Sequence, residues 1–107
     1  MAKYTTEMFQ IFEDAYLKII SKPTIDMQAH EIVERGEVVQ EMSLKMMTLE
    51  TAHMSELHAA IEVEGSKMEH ALAAMEKATE ANTDYMTLLH SVDHAMHIMN
   101  NFFLLLF

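Results

Sequence analysis

His90, His94 and His97 are spaced by four and three, which sets three imidazoles on one stripe of a helix. Seven histidines in a chain of 107 residues without cysteine raise the question of metal binding. His30, Glu34, Glu37 and Glu41 form a second stripe earlier in the chain. Folding the sequence about residue 65 puts the two stripes at similar heights. At about 100° per residue, however, each lies nearly opposite the apolar seam of its own helix, so the two are expected to point outward and away from each other. They read as solvated faces, as pH-sensitive contacts between chains, or as a metal site formed only when two chains lie side by side. Protonating all seven histidines would move the formal charge from −10 to −3, and association is expected to strengthen on mild acidification.

Glu50 and His53 have the E-x-x-H spacing of carboxylate-bridged, ferritin-like bundles. Both fall on the apolar side of their helix, near Met46, Leu49 and Leu57. Such a site also needs a carboxylate from each facing helix. The nearest acids, Glu76 and Glu80, point away, while Thr79 and Asn82 face the seam. The plainer reading of Glu50, His53 and Asn82 is a buried polar layer that fixes register. The metal alternative is a small ferritin-like bundle completed in an oligomer, with Glu50, His53, His90, His94 and His97 as ligands. No cofactor is expected.

Other chemistry lacks its residues. The two glycines, Gly36 and Gly65, are too far apart for a phosphate-binding loop. Adjacent pairs such as His90 and Ser91 have no oxyanion-hole turn beside them, so an enzyme is not expected. With 17 acidic against 7 basic residues and no basic cluster, nucleic acid is not an expected ligand.

The elements that must position these residues are all helical. A chain of this length makes one domain, half of its residues are apolar, and its twelve methionines give a soft, adaptable core. Met8, Phe9, Phe12, Ala15, Tyr16, Ile19 and Ile20 share one side of a helix over about 5–21, and Pro23 is placed to open the next. Apolar residues mostly three or four apart then run from Ile25 to Val63 and again from Ala71 to Leu106, with Asn82 filling one slot of the second series. Between them Gly65 suits a helix end, and Ser66 with Glu69 suits a capping box. The fold expected is all-α: a short N-terminal helix and a long antiparallel hairpin of helices over about 24–64 and 66–106, with coiled-coil-like packing. The hairpin would be on the order of 60 Å long. Gly36 is read as interior to the second helix; a break there would give four helices.

In that arrangement one end of the hairpin is bare. Met54, Ala60, Met68, Ala71, Met75 and Ala78 would form a surface suited to another helix, since alanine permits close approach and methionine fills uneven gaps. The C-terminal run is apolar nearly all round, so Phe102, Phe103, Leu104, Leu105, Leu106 and Phe107 are expected to meet a neighbour. The expected function is that of a non-enzymatic helical assembly protein, a subunit of an oligomer or filament or an obligate partner or chaperone. Its partner would be itself or another helical protein. In broad architecture this resembles the leaderless helical hairpins that bacterial secretion systems use as filament subunits or small chaperones. The chain has no tryptophan, and so lacks the W-x-G turn of one such family. A membrane-associated protein using its apolar C-terminus is a further alternative, without a transmembrane span, because six residues are far short of the roughly 20 required. The opening MAKYTTEMFQIFED does not read as a secretory signal, so a cytoplasmic location, or export by a leaderless route, is expected.

Overall fold

The computed structural model describes residues 2–80 and 84–106, with side chains from residue 6 onward. Every regular element among them is helical: α1 (Ala2–Ile20), a 3-10 turn (Thr24–Asp26), α2 (Ala29–Thr51), α3 (Met54–Glu80), α4 (Tyr85–Ile98) and α5 (Asn100–Leu104). The long axis is 44 Å, shorter than the expected hairpin, because the chain folds as a ring of four helices.

α1 buries Met8, Phe12, Ala15 and Ile19, spaced four, three and four, which is one face of a helix. It stops where Ser21 Oγ donates to the Lys18 carbonyl at 2.7 Å and Pro23 takes an extended conformation. α2 then opens with a reciprocal cap, in which the Gln28 N–H donates to Glu31 Oε1 at 2.9 Å. Gly36 does not break α2.

The turn expected at Gly65 is instead at Ala52 and His53. Ala52 is extended, with φ −66° and ψ 138°, and α3 runs through Gly65 to Glu80. Two physical reasons account for the difference. Gly65 has no positive φ and sits on the buried stripe between Ala60 and Met68, so continuing the helix keeps that stripe inward. At the end of α2, the hydroxyls of Thr48 and Thr51 donate back to the carbonyls of Leu44 and Met47, bonding that slightly weakens and bends a helix. The single helix expected over 66–106 is likewise divided. Asp84 caps α4, and Met99, with φ −90° and ψ 6°, separates α4 from α5.

Cross-helix contacts give the directions. Phe9 lies beside Glu50, and the Arg35 guanidinium donates to the Lys22 carbonyl at 2.9 Å, so α1 and α2 are antiparallel. Met8 lies beside Leu72, and Lys18 reaches the Thr79 carbonyl, so α1 and α3 are parallel. Glu34 faces His90 and Lys45 faces Asn100, so α2 runs parallel to α4 and α5. Around the ring the order is α2, α1, α3, α4, and the consecutive helices α2 and α3 make little direct contact. Phe12 packs edge-on to Phe103, with ring centroids 6.1 Å apart, and Phe103 edge-on to Phe102 at 5.6 Å. The Tyr85 hydroxyl donates to the Ile19 carbonyl and ties the start of α4 to the end of α1; burial raises its pKa.

The α4 cap carries a pH dependence. Asp84 accepts from the Thr87 N–H at 2.9 Å and from its hydroxyl at 2.8 Å, and these bonds hold its pKa below the ordinary 3.8. A lowered folded pKa means the contribution is whole above the unfolded value and is lost as pH falls through the folded one. The melting temperature of the wild type is expected to fall more steeply than that of Asp84→Asn between about pH 5 and about pH 2, since asparagine keeps the capping acceptor without titrating. Parallel curves would show that the carboxylate charge contributes nothing.

Candidate interaction surface

The residues with metal-ligand spacing do not converge. Glu50 is exposed in the last turn of α2 and His53 is exposed in the link, on the far side of extended Ala52. The break thus removes both the helical E-x-x-H geometry and the buried polar layer; the third member of that layer, Asn82, lies outside the described residues. His90, His94 and His97 are exposed on α4. Among the described residues no three His, Asp or Glu side chains form a group able to hold a metal ion. The two stripes do meet at one point, contrary to expectation. His90 Nε2 is 3.3 Å from Glu34 Oε2, because α2 and α4 are parallel neighbours.

The surface expected of a bare hairpin tip is taken up inside the chain. Ala60, Met68, Ala71 and Met75 are fully buried in the core, Ala78 is half-buried, and Met54 alone of that set is exposed. The C-terminal run divides by face: Phe102, Phe103 and Leu106 are buried, while Leu104 and Leu105 are exposed. Phe107 lies outside the described residues.

Lys45 escapes the sequence reading. It is the one buried charged residue among those described, and it occupies the third place of the α2 stripe Val38, Met42, Lys45, Leu49. Its Nζ donates to Glu41 Oε1 at 3.1 Å and to Asn100 Oδ1 at 3.0 Å, and lies 5.3 Å from the Phe103 ring centroid. A lysine on an apolar stripe is itself the sequence signal: it must be paired or reach solvent. Here it forms the floor of an open groove of about 400 Å³ between α2 and α5, walled by Leu44, Thr48, Phe103 and Leu104.

The outward pole of α2 inverts the usual pattern. Positions diametrically opposite Met42 and Leu49 should be polar, yet Val33, Leu44 and Met47 stand there, each more than half exposed. Gly36 shares that pole, and a Cβ built on it would meet nothing within 4 Å. A second groove, lined by Phe9, Tyr16, Ser43, Met46, Met47 and Glu50, flanks α2 on its α1 side. None of the helices among the described residues is long and apolar enough to cross a membrane. No protein-family model, curated protein or solved structure matches the chain.

Two expectations follow from these side chains. Lys45→Met keeps the packed stem and removes the charge, so its stability should stay within about 1 kcal/mol of wild type, whereas Lys45→Ala should lose on the order of 2 kcal/mol. Equal losses in urea titrations would place the stabilisation in the ion pair. Gly36→Ala should raise the stability of the isolated chain by about 1 kcal/mol, since it adds helix propensity and meets no neighbour. A destabilised Gly36→Ala monomer would mean that the backbone at this position needs glycine.

Proposed function

We propose that this chain is a non-enzymatic helical assembly protein, a subunit that works by packing its surface against a second helical chain. Self-association into an oligomer or filament is the first form of the reading, and an obligate helical partner is the second. The observation that carries it is the set of exposed apolar side chains on the outward pole of α2, Val33, Leu44 and Met47, continued by Leu104 across the adjoining groove. Scattered exposed apolar residues are ordinary on a protein surface. Three apolar side chains more than half exposed on the side of a helix that should be polar, interrupted by Gly36 and Gln40, are not, and such patches mark contact surfaces.

The composition favours the same reading. Methionine and leucine on a helix face adapt to an opposing helix, and the groove beside them offers a seat for its side chains. The net charge of −10 opposes close approach of two copies, so apolar burial has to exceed that repulsion.

Light scattering of the full chain at about pH 7.5 should give a mass above the 12.3 kDa of one copy. Leu44→Glu and Leu104→Glu should each move that mass toward the monomer. A wild type that stays monomeric up to about 1 mM, where binding would be worth only about 4 kcal/mol, overturns self-association.

A further inference from the structure

The ring is made of two pairs of consecutive helices, α1 with α2 and α3 with α4, and α5 packs on α3 within the second pair. The pairs are joined along the chain only by Ala52 and His53, and they meet through α1 on α3, α2 on α4 and α1 on α4. α2 and α3 stand across the ring from each other and run antiparallel. Helices in contact pack about 8–10 Å apart, so the diagonal of such a ring is roughly 11–14 Å. The three Cα steps from Thr51 to Met54 reach about 11 Å at most. The link is thus close to full extension, in keeping with the extended backbone of Ala52.

Nothing in the link requires a turn. Neither residue is glycine or proline, and no φ among the described residues is positive. Ala52 already has a helical φ of −66°, and rotating its ψ from 138° to about −42° would return it to the helix. Between Gly36 and Gly65 the sequence holds no helix breaker, so a continuous helix is what the local sequence favours. We propose that this hinge opens into one helix over 29–80 and that the chain then exchanges halves with a second copy of itself, α1 and α2 of each protomer packing on α3, α4 and α5 of the other. Because α2 and α3 hardly touch, opening the hinge loses almost nothing between them. The α1–α3 and α2–α4 contacts, the Phe12–Phe103 edge pair and the Lys45–Asn100 bond all reform between chains. Straightening also pairs the amides left open at the start of α3 with the carbonyls left open at the end of α2. Short hinges of this kind favour exchange.

Exchange sets two lobes end to end across the hinge, along a helix of about 78 Å. The hinge end of the bundle carries exposed apolar side chains that the facing lobes would partly cover. Met54 opens α3, Met47 lies one turn before the end of α2, and Leu104 lines a groove with Thr48 at that height. End-to-end placement also spreads the net charge of −10 on each chain over a longer body than side-by-side packing would. The two halves must part before they exchange, which uncovers Phe12 and Phe103. Monomer and dimer therefore interconvert slowly, and the form obtained depends on protein concentration during refolding. The exchange uses the chain's own core contacts and leaves Leu44 exposed, so it is independent of the outward face of α2.

Refolding the full chain from urea at millimolar concentration should yield a dimer that persists on dilution, while micromolar refolding should yield monomer. In small-angle scattering that dimer should be roughly twice as long as the 44 Å of one copy, whereas packing along the α2 row would leave the length nearly unchanged. Met54→Pro separates the two states. Position 54 is the first residue of α3, where proline is favoured and only an exposed side chain is lost, but it is interior to the continuous helix. The variant should lower the dimer yield at least roughly tenfold and leave the helical circular dichroism of the monomer unchanged. His53→Ala, at an exposed position and with a better helix former, should raise the yield severalfold, which keeps the test open if the proline variant does not fold. Leu44→Glu should not alter the yield, so the exchange and the surface-packing reading fail separately. A refolded dimer of single-copy length, a dimer that Met54→Pro leaves intact, or no dimer after concentrated refolding overturns the exchange.

Discussion

α2 and α3 follow one another with only Ala52 and His53 between them, yet they hardly touch, and this constraint shapes everything else in the molecule. Neither helix buries its apolar stripe against the other: α2 packs on α1 before it and α3 on α4 after it. α1 takes both, packing antiparallel to α2 on one side and parallel to α3 on the other, and α4 closes the ring opposite. The row Met8, Phe12, Ala15 and Ile19 is therefore the common wall of the core, and Phe12 reaches across the ring to Phe103 at the far end of the chain. The fold thus combines pairs of consecutive helices, α1 with α2 and α3 with α4, with the sequence-distant pairings α1 with α3 and α2 with α4 that close the ring.

The same constraint decides what was legible in the sequence. Helical periodicity survives any arrangement of the helices, so the all-α class and the approximate extent of α1 could be read directly, whereas Ile25 and Val63, read onto the apolar seam, are exposed and Lys45 is buried. Where the stripes turn back could not be read either. Gly65 with Ser66 and Glu69 has the composition of a helix boundary, but burial of Met68, Ala71 and Met75 holds the helix together across it. The actual turn at Ala52 and His53 has neither glycine nor proline. Its only local trace is the pair of threonines bonding back to α2 carbonyls. Misplacing this one turn carried consequences for the candidate sites: it exchanged the core residues Ala60, Met68, Ala71 and Met75 for an interface, and it joined Glu50 and His53 on one helix when a break divides them.

Lys45 shows how a polar residue on an apolar stripe is accommodated and what that implies at the surface. The stem packs among α2, α5 and Phe103, and the amine is satisfied by Glu41 and Asn100. Each of those partners sits at the rim of the groove, so satisfying the amine also holds α5 against α2 and keeps the groove open between Leu44 and Leu104. A buried ion pair is weak evidence for stability, since a well-packed apolar substitute is often as good. Its contribution here is positional: the Lys45–Asn100 bond ties the start of α5 to α2.

The apolar seam of a helix normally faces the core once, and α2 carries two such faces. The inner one, Val38, Met42, Lys45 and Leu49, is used within the chain. The outer one is left to solvent, with Gly36 lowering helix propensity at its middle and Leu44 and Met47 exposed beyond it. Both features are unfavourable in an isolated chain, by propensity and by hydration respectively, and both become favourable once another helix lies along the row. Under the assembly reading proposed above, one helix laid along the row would offset both penalties, which favours α2 over the exposed histidines of α4 as the contact face.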